Sequence, residues 1–286
     1  REETSEWYPR PQPVTRLPIH RYCEICRGAT DALLPIAPLE FMDLLIRLLD
    51  RGLRFSRRPN EKDVFEDLSC VWRPSISDHP QNRLRSFLDA LVTALRDVAS
   101  QIAKSSPEMA SKVLASLEER PWTVIRRLAL HVAREMVDVD PSHAKSRALD
   151  EEIFRSSSLR REASLLIVAV FDLLDSIEKQ SIVGWISEGP RSRTTTEGAE
   201  PAAGDLLERR KKVWQRDRLA SIRKVLPSAQ VALLTALEAE VGPAEHPDFV
   251  VWSSDMKCVG PRSPLAKDQI KDMTVESIVD VLQTRD

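Results

Sequence analysis

The sequence predicts an all-α protein built from stacked helix pairs and irregular loops, and three observations point there. Glycine occurs at only 8 of 286 positions and tyrosine at 2, whereas sheets need turn glycines and favour aromatic and β-branched residues. Leucine, alanine, arginine and glutamate dominate instead. Along several long segments the apolar residues step by three and four, the period of a helix with one buried face. A hydrophobic fraction of 42% suffices for a sizeable core.

Residues 1–38 carry Pro9, Pro11, Pro13, Pro18, Pro35 and Pro38. Proline fixes φ and removes a donor, so this reads as an extended lead-in rather than a helix. From Leu39 onward, Phe41, Leu44, Leu45, Leu48 and Leu49 share one face, and Gly52 stands where a helix C-cap belongs. Residues 54–80 form a long irregular stretch, a type often functional inside a compact domain. The clearest helix follows, with Leu84, Phe87, Leu88, Leu91, Leu95, Val98 and Ile102 on its face and Asn82 as N-cap.

Ser105-Ser106-Pro107 closes that helix and opens a short one, Met109 to Glu118. Beyond the Arg120-Pro121 turn the next helix buries Ile125, Leu128, Ala129, Val132 and Met136. It shows Arg127, His131 and Arg134 on another face. A polar connection, Asp138 to Ser146, leads to a short helix near Leu149–Phe154. Leu159 to Ile177 is apolar nearly all round at its centre, as a helix between neighbours must be. A short helix ending at Trp185-Ile186 completes the series. Arg191 to Gly204 has no apolar residue larger than alanine and reads as a linker or surface loop. Leu206–Leu226 and Ser228–Val241 form a helical hairpin broken at Pro227 and stopped by Gly242-Pro243. Phe249-Val250-Val251-Trp252 is strand-like, or an extended segment packed on helices. Asp268 to Gln283 holds one or two short helices with Thr274 as N-cap.

The longer helices begin near Leu84, Trp122 and Leu159, 38 and 37 positions apart, with a shorter helix inside each interval. That rhythm is the habit of HEAT and armadillo arrays, in which neighbouring helix pairs stack because one pair cannot bury its apolar face alone. The expected architecture is a HEAT-like α-solenoid with irregular loops, an irregular bundle being the alternative. Its divisions are a lead-in over 1–38, a helical-repeat array over 39–188, a linker or loop over 189–204, and a C-terminal hairpin and cap over 205–286.

The 42 basic and 44 acidic residues nearly cancel, which removes any global drive toward nucleic acid or an anionic membrane. The longest apolar run, Ala163–Phe171, is too short to span a bilayer, and four cysteines are no disulfide framework. A cytoplasmic protein without membrane partners is therefore expected. The opening at Arg1, with no basic-then-apolar leader, predicts a piece of a longer chain without a signal peptide.

His20-x-x-Cys23-x-x-Cys26 is the candidate for metal chemistry, since two thiolates one turn apart form half of a tetrahedral zinc site. Completion would need two of His20, Cys70, His79 and Cys258; without them the expectation is two unrelated thiols and no cofactor. A redox pair is disfavoured because no strand precedes the motif. Arg127, His131, Arg134 and Arg161 are candidate binding residues: lining one surface, they would hold an acidic protein or peptide partner. The plainer reading is a solvated helix face. Arg209, Arg210, Lys211 and Lys212, with Trp214 among them, form the densest basic stretch and the candidate nucleic-acid contact. Trp214 also falls with Leu219, Ile222 and Val225 on an apolar helix side, which reads as core. No Gly-rich phosphate loop, H-E-x-x-H or G-x-S-x-G motif occurs, so a non-enzymatic role is expected.

Three passages carry a resemblance: Asp67-Leu-Ser-Cys-Val-Trp-Arg-Pro74, Asp78-His-Pro-Gln-Asn82 and Trp122-Thr-Val-Ile-Arg-Arg-Leu-Ala-Leu-His131. Gly184–Pro190 and Gly260–Leu265 fit with them. The text resembles the helical region towards the C-terminus of very large bacterial proteins of the phage-defence type. Those carry an N-terminal effector and often a central signal-transduction NTPase. The resemblance implies a recognition or sensor array, with nucleotide hydrolysis and effector activity located elsewhere.

Overall fold

The computed structural model describes residues 15–57, 67–82, 86–191 and 204–252, together with Thr274. Twelve α-helices appear among them, and no strand. They are α1 (Ile19–Leu33), α2 (Pro38–Phe55), α3 (Ser69–Trp72), α4 (Phe87–Ala103), α5 (Pro107–Glu118) and α6 (Thr123–Glu135). Then come α7 (Pro141–Ala148), α8 (Glu151–Arg155), α9 (Arg160–Val170), α10 (Ser176–Glu188), α11 (Gly204–Ser221) and α12 (Ser228–Val241). All belong to one compact unit, Arg1–Trp252; of a second, Ser253–Asp286, only Thr274 is described. The helices expected over Asp268–Gln283, and the expected linker between Arg191 and Gly204, fall outside the described residues.

The lead-in needs correction, because α1 occupies much of it. The prolines cluster on either side of a proline-free stretch from 19 to 34, so Pro18 opens a helix and Pro35 lies just past its end. Gly52 is likewise no cap. It lies inside α2, where a Cβ would stand 2.7 Å from Leu88 Cδ2, so glycine lets α2 and α4 approach. The buried face of α2 is Phe41, Met42, Leu45, Ile46 and Leu49, while Leu44 and Leu48 are exposed.

The N-cap of α4 is Ser86, in a reciprocal capping box with Asp89. Ser106 caps α5, whose first residue is Pro107. The expected polar connection at 138–146 contains α7, capped by Asp140. The long apolar helix from Leu159 ends at Val170; a 3-10 turn and extended Leu174 follow, and Asp175 restarts the chain as α10 with a capping box to Glu178. Neither glycine nor proline marks that break, which is why periodicity ran through it.

Helices α2, α4, α6 and α9 pack successively, α4 on α2, α6 on α4 and α9 on α6. α5 lies against α4 and α6, and α7 against α6 and α9. One continuous apolar core runs through them, from Phe41 on α2 to Leu237 on α12. The Phe249–Trp252 run forms no strand. His79 lies 5.0 Å from the Phe249 ring and 5.8 Å from the Trp252 ring, and His246 stacks on Trp252 at 3.4 Å, so this segment packs against His79.

Candidate functional site

The three passages 67–74, 78–82 and 122–131 meet in space. Residues 73–76 have no regular structure, yet Arg73, Ser75 and Ile76 are buried. Buried backbone must find partners, and here charged side chains supply them. Arg127 donates from Nη1 to the Arg73 carbonyl at 2.8 Å and from Nη2 to the Pro74 carbonyl at 3.0 Å. Its Nε and Nη2 also donate to the two Glu162 oxygens at 2.7 and 3.0 Å. Glu162 Oε1 accepts the Ile76 amide at 2.9 Å, and Arg96 donates to the Ile76 carbonyl at 3.1 Å. Asn82 accepts from the Ser75 amide and donates to the Ser77 carbonyl. Asp67 accepts the Val124 amide at 2.8 Å, capping α6 from a distant segment while its other oxygen accepts the Ser69 amide.

The predicted cationic stripe therefore divides. Arg127 is completely buried and belongs to the interior, a correction with a plain cause: Glu162 and two carbonyls satisfy a guanidinium that water would otherwise hold. Burial would lower its pKa, but the charge and hydrogen bonds of Glu162 outweigh that and raise it. His131 and Arg134 face a groove of about 500 Å³ between α4 and α6, with Asp97, Lys104 and Glu135 in its walls. Burial and the neighbouring Arg134 push His131 down to about 4, which leaves it neutral at neutral pH. Arg134 donates to Glu135 at 2.8 Å and to Ser77 at 3.2 Å. Burial would raise Glu135, but hydrogen bonds from Arg134 and Lys104 hold it near 2. Arg161 stands apart from this groove, paired with Asp248 and lying 4.0 Å over the Phe249 ring.

Cys23 and Cys26 lie on α1 as half-buried free thiols, and Cys70 lies half-buried on α3. Burial and the adjacent Cys23 raise the Cys26 thiol pKa. His20 is exposed. Among the described residues no three His, Cys, Asp or Glu side chains gather to hold a metal ion, and Cys258 lies outside them. The two α1 thiols instead line a cavity of about 450 Å³ between α1, α4 and the 73–82 connection.

On α11 and the turn after it, part of the basic charge is answered within the hairpin. Lys212 pairs with Glu240, Arg223 with Glu238, and Arg216 with Asp217 and the Val241 and Gly242 carbonyls. Lys211 covers Gly189, and Trp214 packs against the core beside Phe154. Arg209 and Arg210 are exposed and have no ion pair among the described residues.

Sequence reasoning missed Asp67, Arg73, Arg96 and Glu162, the remaining members of the charge network. Glu162 carried a readable signal, a carboxylate on a helix otherwise apolar toward its neighbours. No family model, curated protein or solved structure matches the chain. No helix among the described residues is long and apolar enough to cross a membrane.

Proposed function

We propose that this chain is a non-catalytic recognition scaffold, a sensor region of a larger cytoplasmic protein of the phage-defence type, and that it binds a protein or peptide partner. The carrying observation is the α4–α6 groove, where Asp97, Lys104, Arg134 and Glu135 present charges of both signs from two rigid helices. Such a mixed pattern selects by complementarity, attracting one arrangement of partner charges and repelling others. Arg127 and Glu162 hold the groove's loop from beneath, so its shape is set before a partner arrives. The successive packing of α2, α4, α6 and α9, with α5 and α7 beside them, supports a HEAT-like array as the underlying architecture. The nucleic-acid reading has less support, because Lys212 is paired with Glu240 and Trp214 packs against the core, which leaves Arg209 and Arg210 as its exposed contacts.

The test is affinity capture from a bacterial lysate, with and without phage infection, using the intact chain and the Lys104→Glu/Arg134→Glu variant. A protein retained by the first and lost by the second, at unchanged helix content and Tm, is the expected result. Capture unaffected by charge reversal, capture of nuclease-sensitive nucleic acid alone, or an empty eluate would contradict it.

A further inference from the structure

The cavity beside α1 has a definite origin in the sequence. Tyr22 and Phe87 meet edge to face at 5.1 Å and set the separation of α1 and α4 at one end. Beyond that contact both helices present small side chains: Cys23, Cys26 and Thr30 from α1, Ala90, Thr93 and Ala94 from α4. These cannot fill the gap that the aromatic pair holds open, and a pocket of about 450 Å³ remains. That is the size of a small-molecule site, and its walls are mainly apolar.

Its charges are arranged in depth. Arg73 lines the cavity at 4% exposure, donates to the Ser75 carbonyl at 3.0 Å, and has no carboxylate at ion-pair distance among the described residues. Burial lowers its pKa, the nearby Asp89 and Asp78 charges act against that, and the side chain remains a cation at neutral pH. At the rim, Asp78 and Asp97 share the single guanidinium of Arg96, at 2.6 and 2.7 Å, leaving one negative charge in excess. Arg27 and Asp31, also on the rim, cancel. A buried positive charge thus sits below a rim with one net negative charge, and Arg73 and Asp78 lie within each other's electrostatic reach.

We propose that this cavity binds a small zwitterion of the free amino-acid type, its carboxylate against Arg73, its ammonium toward Asp78 and Asp97, and its side chain on the Ala90–Ala94 wall. A purely anionic ligand would meet the rim carboxylates, and a purely cationic one would be repelled by Arg73. Apolar side chains are favoured because the wall offers no further charge. The pocket shares only Asp78 and Asp97 with the α4–α6 groove, so this assignment and the recognition reading can fail separately.

The experiment is thermal unfolding and calorimetry of the intact chain with each of the twenty free amino acids, followed by the N-acetyl and methyl-ester forms of any that bind. At about tenfold above Kd, a binding amino acid raises Tm by about 2–4 °C. Blocking either charge removes the effect. Ala94→Leu, which fills the pocket without touching a charge, and Asp97→Asn each weaken binding at least about tenfold, a loss of 1.4 kcal/mol. Arg73→Met abolishes it; should that variant unfold, Ala94→Leu carries the test. If no amino acid shifts Tm, if the blocked forms bind equally well, or if Ala94→Leu binds like wild type, the assignment is overturned. Binding by N-acetyl forms alone would identify a chain-end carboxylate instead and equally overturn it.

Discussion

Two buried arginines, Arg127 on α6 and Arg218 on α11, show how one residue type can play opposite energetic roles in a single protein. Arg127 is gripped by both oxygens of Glu162 and by two carbonyls. Arg218 is 3% exposed, lies 5.0 Å over Phe154 and 5.3 Å over Trp214, donates to the Arg155 and Ser156 carbonyls at a long 3.4 Å, and has no carboxylate at ion-pair distance among the described residues. Burial and the nearby Arg160 push it down to about 9, whereas Glu162 raises Arg127. Removing the paired charge orphans a buried partner. Removing the one without a carboxylate relieves a desolvation cost and keeps the packing of the methylene stem, against the loss of two long bonds to the Arg155 and Ser156 carbonyls.

The largest expected effect follows directly. Arg127→Met loses about 3–5 kcal/mol of stability, because it leaves Glu162 buried and strips donors from two carbonyls. Arg218→Met changes stability by less than about 1 kcal/mol, or raises it. Urea unfolding of the two variants side by side checks the contrast, and equal losses would break it. Adding Glu162→Leu to Arg127→Met sharpens it further, since the double variant should recover part of the single variant's loss.

A second effect comes from His131, whose pKa is about 4 in the folded state against 6.5 ordinarily. Between those values the unfolded chain takes up a proton that the folded protein refuses. Stability therefore falls as pH drops from 6.5 toward 4 and is indifferent to this group above 6.5. The loss amounts to at most about 3 kcal/mol, and His131→Gln should flatten the profile over that window. Burial comes first among the causes, then Arg134; Glu135, Arg96 and Glu162 also act on the ring. A wild-type profile already flat from 6.5 to 4.5 would contradict this.

Asp67→Ala should cost about 1–2 kcal/mol through loss of the cap on α6, read as a lowered urea midpoint at unchanged slope. Smallest of all, Lys212→Ala in the surface pair with Glu240 should stay within about 0.5 kcal/mol. A loss beyond 1 kcal/mol there would show that the α11–α12 surface pairs are more than solvated charge.

These contrasts also mark what could be read from the sequence. Helices α4 and α6 were legible by their period, although Ser86 and not Asn82 caps α4, and α5 and α12 by their ends, Ser106-Pro107 and Gly242. Helix α1 was obscured by the prolines flanking it, and the break at Leu174-Asp175 by the absence of any. His131 and Arg134 line one groove, and their nearness was legible because a shared helix face is a local property. The interior position of Arg127 was not legible. Its partners are Glu162, 35 residues on, and carbonyls more than 50 residues back, and no local period connects them. The same holds for the cavity beside α1, whose small residues sit on two helices that only the fold brings face to face.

The most direct test of the central claim, that Arg127 and Glu162 hold the irregular 73–78 segment in place beside the α4–α6 groove, is amide hydrogen exchange at Ile76 in wild type and Arg127→Met under native conditions. The account predicts strong protection in wild type, from the 2.9 Å bond to Glu162, and in the variant a loss of that protection larger than the general loss the amides of α12 report. An Ile76 amide that exchanges freely in wild type, or stays equally protected in a folded Arg127→Met protein, would contradict it.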